Sequence, residues 1–366
     1  TMKFMVLLFV IMSLGIITNA QDGVKFEDLT FEQALAKAKV ENKLVFMDCY
    51  TSWCGPCKRM LNTVFVQKEA GDFFNPRFVN VKYDMEKGEG IELAKRFNVK
   101  SFPTFFIIRP DGSIQHKIGG AGSLKAFLGW VEKGLHEETS LDFLNKQYEK
   151  GGMNKKQMLE YHRVLLCAGE RENAKVILDK LRSQLNDDDR VKADYWFLLE
   201  GQPHGSEGFN FVITNYAKLK KNIGEEKLSD YLSENYNKVL NNVFKEEGNN
   251  DVKAIKNLLD QVSKEWSLIG WKPDTRLQNK LNLLKACVSR NAEQIISCIE
   301  FGLDKQKVSK WNFDLWMMLS ALEFVDLEGG KVDKARILAI ETRIQGYFAN
   351  SASMQNRLAP YFKRFK

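Results

Sequence analysis

Proline is scarce in this chain, 7 in 366 residues beside 25 glycines, while 28% of side chains are charged and 44% hydrophobic. Collagen-like and intrinsically disordered proteins have the opposite balance, so both classes are excluded. No apolar run of spanning length occurs, which excludes a multi-pass membrane protein. Long basic runs are also missing. Lys plus Arg number 54 against 47 Asp plus Glu, a net charge of +7 spread along the chain, and no nucleic-acid partner is expected from it. Only four histidines occur, at His116, His136, His162 and His204, with no acid or cysteine partner at a recognisable spacing. Neither a metal nor another cofactor is expected. Six cysteines are too few for a disulfide scaffold, and a chain of this length has room for two or three domains that each bury a core.

The first 20 residues differ from the rest: Lys3, an apolar run from Phe4 to Ile17, then the small residues of Thr18-Asn19-Ala20. The run is short of the ~20 residues a spanning helix needs, so residues 1–20 are predicted to be a secretory signal peptide. The mature chain is then expected to begin near Gln21, outside the cytoplasm and without stable membrane insertion. Residues 21–138 alternate helical and strand patterns, and residues 139–366 show helical periodicity only. In the first segment Thr30 can cap a helix at Phe31–Glu41. The run Leu44–Tyr50 reads as a strand covered on both faces of a mostly parallel sheet. A helix over about 57–74, a strand at Phe78–Tyr83, a short helix at Ile91–Phe97 and a strand at Thr104–Ile108 follow. Pro110-Asp111-Gly112 then turns the chain into an antiparallel strand over Ser113–Ile118, and Ser123 caps a last helix. Beyond Glu138 about ten helices are expected, and fragments such as Leu165-Leu166 with Ala168-Gly169, Ala174, Leu178 and Leu181 are compatible with a tetratricopeptide-like solenoid or with an irregular helical domain.

Chemistry concentrates in Trp53-Cys54-Gly55-Pro56-Cys57-Lys58, which follows a buried strand and opens a helix. At a helix N-terminus the free N–H groups and the helix dipole favour negative charge, which lowers a thiol pKa. Cys54 is therefore the expected nucleophile. Two intervening residues bring Cys57 within disulfide reach on the first turn, where it can resolve a mixed disulfide. Half of a zinc knuckle would need a second Cys-x-x-Cys, and there is none. Asp48 lies inside an apolar strand, where an unpaired carboxylate must find a partner or raise its pKa. Cys49 points to the opposite face and is expected to be inert. Cys167, Cys287 and Cys298 read as packing residues, with a Cys287–Cys298 disulfide across the Ser289-Arg290-Asn291 turn as the alternative.

Asp48, the stretch Trp53 to Lys58 and Ser101-Phe102-Pro103-Thr104 have an order and spacing that resemble the thioredoxin family over about residues 24–136. The sequence looks most like its secreted branch, which includes the catalytic C-terminal domain of the membrane thiol:disulfide interchange protein. The resemblance implies a central mixed sheet flanked by helices, followed by a large all-α domain on which the resemblance is silent. It implies that Pro103 is the family's cis-proline, that Phe102 pairs with an extended substrate, that Trp53, Gly55 and Pro56 line the substrate site, and that Asp48 accepts a proton from Cys57. The lysine that accompanies this aspartate in the family would fall at Asn80, and the nearest lysine here is Lys82. The resemblance implies a thiol:disulfide oxidoreductase of the bacterial envelope, in the periplasm, and the Gly55-Pro56 pair implies that it reduces protein disulfides, fed by a membrane thiol electron donor. The alternatives are a disulfide oxidant or isomerase, and a helical protein-interaction module with an accessory thioredoxin-like domain.

Overall fold

The computed structural model describes residues 23–243, 251–305, 313–325 and 333–366; the expected signal peptide lies outside them. Helix α1 (Phe31–Glu41) starts in a capping box, with the Thr30 side chain accepting from the Gln33 N–H and Gln33 reaching back, and stops where Asn42 turns left-handed at φ 51°. It leads into β1 (Leu44–Tyr50), the centre of a sheet completed by β2 (Phe78–Asp84), β3 (Thr104–Ile108) and β4 (Ile114–Gly119). The order is β2-β1-β3-β4. Only β1 and β2 run parallel; β3 is antiparallel to β1, and β4 to β3. The sheet is thus mixed and flanked by helices, as the resemblance implies; only the mostly parallel surroundings read from the apolar run of Leu44–Tyr50 are corrected, because burial on both faces produces the same apolar run whichever way a neighbour points. Gly112, at φ +84°, closes the β3–β4 turn by donating its N–H to the Arg109 carbonyl at 2.8 Å.

Side-chain alternation sorts the strands into two cores. Phe46, Phe78, Phe105 and Phe127 pack on one face with Met60, Phe65 and Phe74; Val45, Met47, Cys49, Val79, Val81, Phe106 and Ile108 pack on the other with Phe31, Ala34 and Ala38. The helix expected over 57–74 is three pieces: α2 (Gly55–Arg59), a π-helical turn (Met60–Val64) and α3 (Lys68–Phe74). The Phe65 carbonyl accepts the Val24 N–H at 2.7 Å, so it no longer continues a helix. Gly23 makes this approach feasible, since a Cβ there would lie 2.2 Å from that oxygen. Helices α4 (Gly90–Arg96) and α5 (Leu124–Leu135) complete this part, with Ser123 capping α5.

The compact unit that holds the sheet continues to Leu185, beyond Glu138 where the sequence changes pattern. Helices α6 (Leu141–Lys150), α7 (Lys155–Cys167) and α8 (Arg171–Gln184) belong to it. Polar ties explain why. The Leu141 N–H donates to His116 Nδ1 on β4 at 3.1 Å, Arg109 pairs with Asp142 at 2.9 Å, and Lys133 pairs with Glu160.

The second unit, Asn186–Lys366, is helical throughout its described residues. Its helices are α9 (Asp187–Arg190), α10 (Glu207–Thr214), α11 (Tyr216–Ile223), α12 (Glu225–Asn242), α13 (Val252–Ile269), α14 (Thr275–Val288), α15 (Ala292–Lys305), α16 (Phe313–Ala321), α17 (Lys334–Tyr347) and α18 (Ala352–Phe362). With α6–α8 the described residues after Glu138 hold thirteen α-helices, more than the ten expected, because breaks such as Asn215 and Gly224 separate helices of eight residues. One apolar core, including Trp196, Phe209, Tyr236, Leu284 and Leu358, runs through the unit. Cys287 and Cys298 are free thiols on α14 and α15, and burial pushes the Cys287 thiol up to about 12. No helix among the described residues is long and apolar enough to cross a membrane.

Candidate functional site

The C-terminal end of β1 delivers the chain through Thr51 and Trp53 to Cys54, which caps α2. The Cys54 backbone is extended, at φ −69° and ψ 105°, and its Sγ accepts the Cys57 N–H at 3.1 Å. Pro56 sits in the first turn, where its missing N–H costs no helical hydrogen bond. Cys54 and Cys57 are joined as a disulfide with their Cα atoms 5.3 Å apart. Both are almost completely buried, whereas Gly55 and Pro56 are exposed. A Cβ on Gly55 would meet nothing within 4 Å, so the space above the disulfide is open.

Trp53 is 65% exposed. Its indole Nε1 donates to the Glu86 carboxylate at 3.0 Å, and its ring meets Phe102 edge-to-face at 6.0 Å. The Phe102–Pro103 peptide bond is cis. The Pro103 carbonyl accepts the Gly120 N–H at 2.9 Å, and the Thr104 hydroxyl donates to the Ser101 carbonyl at 2.7 Å. The Trp53–Cys57 segment, Glu86 and Phe102 therefore come from three separate stretches of sequence. Glu86 was not among the residues expected from sequence. It follows β2 in a polar loop and carries no local signal for an indole 33 positions away.

Asp48 lies on β1 on the Phe46 face, 1% exposed, and neither carboxylate oxygen has a hydrogen-bond partner among the described residues. Burial pushes its pKa up to about 7, with the positive charge of Lys82 opposing. Lys82 is directly across the β1/β2 register from Asp48. Asn80, at the position the family gives to lysine, is buried and donates to the Asn75 side chain at 3.3 Å, so it braces the edge of the sheet. Cys49 is buried on the opposite face as a free thiol, and burial raises its pKa well above the ordinary value, followed in effect by the charge of Asp48.

The arrangement combines a reducible disulfide at a helix start, an open approach to it, and an aromatic edge beside it. Such a pair can exchange two electrons with another disulfide or dithiol. The family model described as thioredoxin matches residues 23–133. Thioredoxin-1 of Drosophila melanogaster is 36% identical over 85 residues, 21% of this chain and 75% of that protein. The thiol:disulfide interchange protein DsbD of Pseudomonas fluorescens is 33% identical over 98 residues, 26% of this chain and 17% of that protein. A solution structure from Bacteroides thetaiotaomicron, described as a candidate disulphide-isomerase, is 45% identical and aligns over 31% of this chain and 95% of that chain, with a TM-score of 0.30. With its Cys54–Cys57 pair and this likeness, the chain belongs to the thioredoxin family and is a thiol:disulfide oxidoreductase.

Proposed function

We propose that the protein reduces protein disulfides outside the bacterial cytoplasm, and that Cys54, Cys57 and Asp48 carry the reaction. The observation that carries the reading is the capping geometry at Cys54. Once the pair is reduced, a thiolate at Sγ receives the Cys57 N–H and the helix dipole. The Cys54 thiolate attacks one substrate sulfur, forming a mixed disulfide as the other substrate sulfur leaves with its electron pair. Cys57 gives its proton to Asp48 and attacks the Cys54 sulfur. The Cys54–Cys57 disulfide forms and the substrate sulfur that Cys54 had attacked leaves as thiolate, so two electrons have passed to the substrate. The oxidised pair then needs two electrons from a thiol donor, in this reading one held at the membrane.

Asp48, with its pKa near 7, suits a proton acceptor that works close to neutral pH. Phe102 and Pro103 offer the substrate an extended edge, and Trp53, Gly55 and Pro56 form the floor of its approach. Residues 1–20 act as the signal peptide, 21–138 as the catalytic domain and 139–366 as a helical extension that presents partners. The apolar run Phe4–Ile17 and the Gly55-Pro56 pair support the compartment and the direction.

The test is the reduction potential of the pair, read from Trp53 fluorescence in defined thiol/disulfide buffers. A value near about −270 mV supports a reductant, and one near about −120 mV would make the protein an oxidant. Asp48→Asn is expected to slow resolution by Cys57 more than attack by Cys54. Equal slowing of both steps would remove Asp48 from the proton path.

A further inference from the structure

The thioredoxin match ends at residue 133, but the same compact unit continues into α6–α8, and the turn between α7 and α8 returns to the site. Gly119, the last residue of β4, lies against that turn. A Cβ on Gly119 would stand 3.4 Å from the carbonyl carbon and oxygen of Ala168 and from the Gly169 nitrogen. Gly119 is also the register partner of Thr104, the residue after Pro103. Its neighbour Gly120 donates its N–H to the Pro103 carbonyl at 2.9 Å. A single layer of backbone, Gly119-Gly120, thus separates the α7–α8 turn from Pro103.

The turn is held in place from both sides. Lys117 on β4 pairs with Glu170 at 2.5 Å, and the two side chains are 19% and 34% exposed. Within the turn the Glu170 N–H donates to the Leu165 carbonyl at 2.8 Å and the Gly169 N–H to the Leu166 carbonyl at 3.1 Å. Ala168 is buried, and Gly169, at φ +76°, has nothing within 4 Å of a Cβ position. The border beside Pro103 is therefore built from Gly119, Gly120, Ala168 and Gly169, residues with little or no side chain. A main chain can come close to such a border over several residues.

We propose that the α7–α8 turn, residues 168–170, is a wall of the substrate groove that selects extended, disulfide-bearing polypeptide segments, with Lys117 and Glu170 as its positioning residues. The proposal rests on the oxidoreductase reading above and names the substrate form that the site takes. The wall acts on binding and leaves the sulfur chemistry alone, so its effect falls on KM.

The experiment uses the full mature chain with two substrates: a small aromatic disulfide, and an unfolded polypeptide with one intramolecular disulfide. Lys117→Glu and Glu170→Lys are each expected to raise KM for the polypeptide threefold or more at unchanged kcat. The double charge swap is expected to restore it. The rate with the small disulfide and the reduction potential should stay at wild-type values in all three variants. Unchanged polypeptide KM in both single variants overturns the wall, as does a parallel loss with the small disulfide, or a swap that folds and keeps the potential but does not restore KM. A wild-type protein that reduces neither substrate would instead overturn the oxidoreductase reading itself.

Discussion

In the helical unit the buried charges have partners, and in the sheet unit two buried titratable groups, Asp48 and His116, keep polar atoms without one among the described residues. Lys280, 4% exposed, meets Asp314 and the side chains of Asn237 and Asn241, all at 2.8 Å. Glu341 pairs with Lys366 at 2.9 Å, and Asp189 with Lys192 at 2.7 Å. Glu265 accepts from Tyr236 at 3.0 Å and Gln261 at 2.8 Å and meets His204 at 3.0 Å. By contrast both oxygens of Asp48 and the Nε2 of His116 are buried without a hydrogen-bond partner among the described residues. Burial of an unpaired polar group costs stability, and a fold keeps such a group where it has a task. For Asp48 the proposed task is to take the proton of Cys57. His116 instead ties β4 to α6, with Gly134 packed so closely that a Cβ there would lie 2.7 Å from the imidazole. Buried charge is thus paired in the helical unit, whereas in the sheet unit it is left unpaired at Asp48 and buried polarity ties elements together at His116.

The sharpest test of that contrast is Cys54→Ser, expected to reduce disulfide turnover by on the order of 10³-fold or more while leaving thermal unfolding of the reduced protein close to wild type. Turnover that survives would move the chemistry elsewhere in the chain. Asp48→Asn bears on stability as well as on rate. The folded pKa of Asp48 is raised, so its contribution favours folding at low pH and is lost as pH rises from about 4 to about 7. Asp48→Asn should therefore flatten the stability profile over that window and leave the variant more stable than wild type at pH 8, by on the order of 4 kcal/mol. Chemical denaturation at pH 4.5 and pH 8 checks this. A variant no more stable than wild type at pH 8 would show that Asp48 is solvated or paired.

His116 runs the other way. Burial, and secondarily Lys133, lower its pKa to about 4, so its contribution is present above about pH 6.5 and is lost as pH falls through about 4. Protonation also removes the acceptor for the Leu141 N–H. Hydrogen exchange in α6 and α7 should quicken by on the order of 10²-fold between pH 6.5 and pH 4, after correction for intrinsic rates, ahead of exchange in β1. In the helical unit, Lys280→Ala takes from buried Asp314 its buried cationic partner and should cost about 3 kcal/mol in its unfolding, with the reduction potential of the Cys54–Cys57 pair unchanged. The smallest effect is expected at Glu86→Ala, which frees the exposed indole of Trp53. A shift in Trp53 emission with a stability change within about 1 kcal/mol would agree, and Glu86→Gln, which keeps an acceptor, should restore the wild-type spectrum.

Much of the fold could be read from local signals. Thr30, Asn42 and Ser123 mark helix ends because their side chains or backbone satisfy orphan groups within four residues. The strands at Leu44–Tyr50 and Thr104–Ile108 announce themselves by short, largely apolar runs. The Pro110-Asp111-Gly112 turn gave the antiparallel direction of β4, but the direction of β3 beside β1 was not legible, since an apolar run is the same read either way. Nor was the break at Phe65, which depends on Val24, a residue from a different part of the chain. At the site, Cys54 and Cys57 were legible because a four-residue motif at a strand-to-helix junction carries its own chemistry. Asp48 stood out as a lone carboxylate in an apolar strand. Glu86 and the α7–α8 turn were not legible, because their roles come from neighbours far away in sequence.

The sequence by itself determined where the redox pair stands, which face of β1 each residue takes, and that helices alone follow the sheet region, since all three depend on spacing along the chain. Only the tertiary structure decided that Lys82 faces Asp48 across β2, that Glu86 holds Trp53, and that the sheet unit extends to Leu185 through His116, Arg109 and Lys133. Each of these is a meeting of groups distant in sequence, set by strand register and helix packing, and a linear pattern carries no record of which distant partner is reached.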